Sequence, residues 1–150
     1  MDATPADNKP VAVITGAAGG IGGAIASMLQ NKGYRLALLD INQKALDNLM
    51  NGLGSGHLGF TSDITDRAKV LDTVENIISR FGRIDVLVNN AGMVLTKPFV
   101  ECSLDSLITE NELNYLAALV CTKAVLPCMQ SAKTGTIVSL ASLGGIIPLS

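Results

Sequence analysis

The sequence has no tryptophan, one histidine and three cysteines, and only 16% of its residues are charged. Each shortage excludes something. His57 has no set of ligating side chains around it in the sequence, so no metal site is expected. Cys102, Cys121 and Cys128 are odd in number and lack a Cys-x-x-Cys spacing. Reduced thiols and a cytoplasmic setting are therefore expected. The net charge is −2, with no basic run and no basic patch interleaved with aromatics, which argues against a nucleic-acid partner. No uninterrupted apolar run reaches the roughly 18 residues of a membrane span, so no membrane association is expected. The first residues hold no hydrophobic stretch of the kind a secretory signal carries. Residues 1–9 are expected to form a flexible lead-in.

What is present is apolar and regularly spaced. Hydrophobic residues make up 48% of the 150. A chain of that size can bury roughly 70% of its unfolded surface in one domain, here residues 10–150. Strand-like and helix-like patterns alternate. Val11 to Ile14 and Arg35 to Asp40 read as buried strands, with His57 to Thr61, Ile84 to Val88 and Gly135 to Leu140 as three more. Ile21, Ile25, Met28 and Leu29 share one helical face, as do Leu46, Leu49, Met50 and Leu53. Val70, Val74, Ile77, Ile78 and Phe81 mark a third helix, with Asp66 as its N-cap and Gly82 as its C-cap. Ser103 is placed to cap a short helix. Residues 113–129 form a longer one that Pro127 is expected to bend or end. The order is that of an α/β fold, a doubly wound, Rossmann-like parallel sheet that stops after its fifth strand. Residues 116–121 of the long helix are all apolar. One face should meet the sheet, and the other could pair with a second subunit, giving a homo-oligomer through 113–129.

The chain is organised around its first strand and the turn that follows, Thr15-Gly-Ala-Ala-Gly-Gly-Ile-Gly-Gly23. A strand passing through glycines into a helix gathers free N–H groups and the positive end of the helix dipole at one point, which suits a phosphate. The same residues would also serve a tight turn packed with small side chains. The acid at the end of the second strand favours the nucleotide. Asp40 lies 18 residues after Gly22, where a carboxylate can accept from both hydroxyls of an adenosine ribose and repel a 2′-phosphate. NAD is therefore expected rather than NADP. Valine at Gly22 is expected to block the phosphate while leaving the fold intact.

Three marks then coincide: Thr15-Gly16 with Gly20-Ile21-Gly22, Asn89-Asn90-Ala91-Gly92 after the fourth strand, and a fifth strand leading to Ser142. Together they resemble the short-chain dehydrogenases/reductases, from about Val11 to Ser150. The resemblance implies an NAD-dependent oxidoreductase moving hydride between the nicotinamide and an alcohol or ketone. It implies that Gly16, Gly20, Ile21 and Gly22 line the pyrophosphate and that Asp40 holds the ribose. Asp63 and Ile64 would meet the adenine. Asn89 and Asn90 would tie strand to strand, and Ala91 and Gly92 would let the cofactor pass close. Asn114 would organise a water chain, and Ser142 would bind the substrate oxygen.

The family's proton donor is a tyrosine followed four residues later by a lysine. Tyr34 is followed at that distance by Leu38, and Tyr115 by Leu119. The reading is thus of a dinucleotide-binding domain incomplete at its C-terminus and inactive by itself. The alternative is a non-catalytic module that binds nucleotide or pairs with other subunits.

Overall fold

The computed structural model describes residues 8–142, so most of the expected lead-in and the segment after Ser142 lie outside the described residues. Five strands, β1 (Val11–Thr15), β2 (Arg35–Asp40), β3 (Leu58–Thr61), β4 (Val86–Asn89) and β5 (Thr136–Ser139), form one sheet in the order β3-β2-β1-β4-β5. Every pairing is parallel. Helices α1 (Gly20–Asn31), α2 (Gln43–Leu53) and α3 (Arg67–Phe81) fill the first crossovers. The last crossover holds a 3-10 turn (Phe99–Glu101), α4 (Leu104–Asn111), a π-helical turn (Glu112–Leu116) and α5 (Ala117–Ala132).

Alternation along β1 explains why helices cover both faces. Val11 and Val13 point into a core completed by Val70, Val74 and Ile77 of α3 and by Cys121 and Val125 of α5. Ala12 and Ile14 point the other way, onto Ala26 and Leu29 of α1 and Leu46 and Leu53 of α2. Successive side chains of a strand face opposite sides, so a strand buried on both faces must be apolar throughout. All five residues of β1 are buried.

The chain leaves β1 toward β2 and β3, then returns to place β4 on the other side of β1. The connections therefore diverge between the carboxyl ends of β1 and β4, the point where open α/β sheets form their crevice.

Three strands have other bounds than the sequence reading gives. β3 begins at Leu58 because the His57 ring is used elsewhere: its Nδ1 accepts from the Leu36 N–H at 3.1 Å. β4 begins two residues later, at Val86, and runs one residue further, to Asn89, and β5 is shorter at both ends. The expected short and long helices are one continuous helix, Leu104–Ala132, 29 residues long. Pro127 does not end α5, which continues to Ala132. Only the carbonyl of Lys123 loses its donor there, and Lys123 is exposed to water.

By length and composition this helix is long and apolar enough to cross a bilayer, although no uninterrupted apolar run is. In the fold, its Ala117, Cys121, Val125 and Met129 stripe is buried against the sheet and α3. Tyr115 and Leu119, on the opposite side, are 59% and 49% exposed.

Candidate functional site

At the switch point the β1–α1 turn and the β4 loop are locked together. The Thr15 hydroxyl accepts from the N–H groups of Asn90 and Ala91, both at 3.1 Å. The Asn90 amide donates to the carbonyls of Thr15 and Gly16 at 2.9 Å each. Asn89 donates to Ser139 Oγ at 3.3 Å and to Thr122 Oγ1 at 3.2 Å, joining β4 to β5 and α5. Thr15 is thus a site residue that the sequence reading used only as part of a motif.

Two glycines permit this closeness. Gly16 has φ +61°, and a Cβ there would lie 2.8 Å from Ala91 Cα. A Cβ on Gly22 would collide with the Gly16 carbonyl oxygen and approach Asn90 Nδ2 at 2.9 Å. Valine at Gly22 must displace backbone rather than an adaptable side chain, so it costs stability as well as blocking the phosphate, contrary to the expectation of an undisturbed fold.

Helix α1 opens at this turn without a cap. Gly19 supplies no side chain to its first N–H groups, and no acid stands in the first turn. The other α/β helices close their own ends. Asn42 accepts from Ala45 in α2, and Asp66 from Ala68 and Lys69 in α3. The α1 N–H groups and their dipole are left for an anion.

Asp40 closes the edge of the same cleft. Its Oδ2 accepts from Ala18 N–H and its Oδ1 from Asn42 N–H, both at 2.9 Å, which fixes the carboxylate at the end of β2. Asp63 turns the next loop by accepting from the N–H of Thr65 at 2.9 Å and its hydroxyl at 2.7 Å.

A cleft of about 610 Å³ runs across these groups. Gly16, Gly20, Ile21, Gly22, Asp40, Asp63, Ile64, Asn90, Ala91 and Gly92 all line it. That volume is within the range of small-molecule sites. The donor-rich turn, the fixed carboxylate and the glycine approach fit a dinucleotide. The two residues expected to be catalytic lie outside the lining. Asn114 is in the π-helical turn, with its amide bonded at 2.8 Å in both directions to the backbone of Met93. Ser142 is exposed, three residues beyond β5.

Metal ligation and thiol chemistry do not compete with this site among the described residues. No cluster of three or more His, Cys, Asp or Glu side chains gathers among them. The three cysteines are free thiols. Burial pushes the Cys121 thiol up to about 11, so it packs as a small apolar group rather than reacting.

Comparison with known proteins agrees with this geometry. A family model described as short chain dehydrogenase matches residues 10–150. D-threitol dehydrogenase of Mycolicibacterium smegmatis is 38% identical over 142 residues, covering 93% of this chain and 55% of that protein. An uncharacterized oxidoreductase of Staphylococcus epidermidis is 32% identical, covering 93% of this chain and 61% of its own length. Among solved structures, an NAD+-bound xylitol dehydrogenase superposes with a TM-score of 0.89 at 33% identity, over 93% of this chain and 55% of that one. The chain thus spans little more than half the length of the relatives it matches.

Proposed function

The chain belongs to the short-chain dehydrogenases, a family of oxidoreductases, and from that premise we propose that its cleft binds NAD. The uncapped start of α1 facing the same cleft as the fixed Asp40 carboxylate carries this reading. The pyrophosphate lies on the N–H groups of the Gly16 to Gly22 turn, where two negative charges meet the helix dipole. The adenosine ribose hydroxyls donate to Asp40, whose oxygens keep lone pairs beyond those used by Ala18 and Asn42. The adenine rests near Asp63 and Ile64, and the cofactor continues past Asn90, Ala91 and Gly92 toward β4 and β5.

When bound, the nicotinamide supplies or accepts a hydride. The chain's own part is to hold it and to meet the oxygen of an alcohol or ketone. The polyols in the names of two relatives support a secondary alcohol as the substrate class. The Ser142 hydroxyl donates a hydrogen bond to that oxygen as charge develops on it, and Asn114 belongs to the same catalytic set. Neither residue is an adequate proton donor at neutral pH. No Tyr-x-x-x-Lys stands within these 150 residues, so the chain alone binds cofactor without turnover typical of the family. A positioned general acid contributes about 10²–10⁴ in rate. The exposed Leu119 on α5 supports a second reading, a nucleotide-binding module that pairs with other subunits through that face of the helix. A cytoplasmic location is part of the same proposal.

The test is calorimetric titration with NADH, followed by absorbance assays against ketones and alcohols. NADH should bind, and turnover should be absent. Failure to bind NADH overturns the cofactor reading. Robust turnover, lost in Ser142→Ala, would overturn the inactive-chain reading.

A further inference from the structure

Beyond Gly92 the chain leaves the sheet, and residues 93–95 are held by side chains of the long helix. Asn114 Oδ1 accepts from the Met93 N–H and Asn114 Nδ2 donates to the Met93 carbonyl, both at 2.8 Å. One helical turn earlier, Glu110 Oε1 accepts from the Leu95 N–H at 3.1 Å. Four helical residues advance about 6 Å, and two extended residues about 6.6 Å. The pairing of 93 with 114 and 95 with 110 matches these spans, with helix and segment running in opposite directions. Glu110 is half-buried. The residues just before the two clamps, Thr109 and Leu113, line the same cleft as Ala91 and Gly92. The clamp therefore sets the distance between the helix wall and the loop wall.

This clamp lies on the far side of the switch point from Asp40 and Asp63. With the adenosine over β2 and β3, the other half of a dinucleotide must extend over β4, along this wall. We propose that Glu110 is a positioning residue for the nicotinamide half of the cleft, fixing residues 92–95 so that the wall keeps its width. The proposal rests on the NAD reading above.

The experiment compares two ligands, NADH and ADP, on the 150-residue chain and its variants, with circular dichroism to confirm folding. Glu110→Ala and Glu110→Met remove the acceptor, the latter keeping a long stem. Glu110→Gln keeps an acceptor oxygen. Loss of one hydrogen bond to a charged acceptor should weaken NADH about threefold to tenfold. ADP, which lacks the nicotinamide half, should bind the variants as it binds the parent, and Glu110→Gln should restore NADH binding. Amide exchange of residues 93–95 in nucleotide-free protein should accelerate in Glu110→Ala or Glu110→Met and not in Glu110→Gln. Equal weakening of both ligands, unchanged NADH binding, or folding of neither acceptor-less variant would overturn the proposal. If the parent binds neither ligand, the NAD reading fails and the proposal falls with it. If it binds both and only the NADH-to-ADP split is missing, the proposal alone fails.

Discussion

The two ends of the sheet are finished in opposite ways. At the amino end the protein satisfies its own backbone. The Val11 N–H donates to Asp85 at 2.7 Å, Asp85 is held by Arg83, and the Leu36 N–H donates to His57. Arg35 lies over the Phe81 ring, 4.4 Å from its centroid, and donates to the Phe81 carbonyl. At the carboxyl end the glycine turn leaves the first N–H groups of α1 without side-chain partners. Helix N–H groups that no side chain caps at one end of a fold, when backbone N–H groups at the other end are met by side chains, mark where a ligand completes the structure.

The strongest way to break the contrast is Gly22→Val. Its Cβ meets backbone at the open end, so we expect a loss of roughly 1–3 kcal/mol or more in stability together with loss of NADH binding. Denaturant melts and titration read the two effects. Gly20→Ala is the companion: nothing lies within 4 Å of a Cβ there, so stability should hold or rise by up to about 1 kcal/mol.

Charge at the open end should sort cofactors. Two unit charges at about 4 Å and an effective dielectric near 20 repel by roughly 4 kcal/mol. Screening lowers this to about 1–3 kcal/mol, a tenfold to hundredfold preference for NADH over NADPH. Calorimetry with both cofactors checks it, and Asp40→Ala should narrow the gap. Tighter binding of NADPH by the parent would remove Asp40 from the ribose site.

Asp85→Ala tests the closed end. It strips the buried Val11 N–H of its side-chain acceptor, which should cost about 1–3 kcal/mol in stability and leave NADH affinity unchanged. If affinity fell as far as stability, the two ends would not be independent.

The smallest effect is in pH. Burial, and then the charge of Lys9, hold the His57 imidazole below its usual 6.5. A histidine depressed in the folded state contributes stability that is full above 6.5 and lost as pH falls through the folded-state value. Tm should decline from pH 7 toward pH 5, because a protonated Nδ1 cannot accept the Leu36 N–H. The decline should be shallower in His57→Gln, and equal slopes would mean that His57 does not act as this latch.

Much of this was legible in the sequence because it is written in local chemistry. β1 reads as a strand buried on both faces because it is apolar throughout, and Asp66, Ser103 and Gly82 act as caps through their own side chains or backbone freedom. The ten expected cofactor residues share one cleft because their positions follow strand ends, which parallel topology collects at one edge. What escaped depends on partners distant in the chain. Thr15 looks like an ordinary strand residue until Asn90 and Ala91 arrive beside it. Pro127 reads as a breaker, yet tertiary packing carries α5 through it. Glu110 has no signal at all without the loop it holds.

The π-helical turn at Glu112–Leu116 has a consequence for how the long helix divides its loyalties. A π-turn amounts to one residue inserted into an α-helix, and one residue is about 100° of rotation. Glu110, upstream of it, and Asn114, within it, address the loop beside the cleft. Downstream, Ala117, Cys121, Val125 and Met129 address the core. The extra residue sets the phase between these two stripes. Deleting it would leave a perfectly good helix whose halves no longer agree, and the protein would have to forfeit either the seating of the loop or the seating of the core.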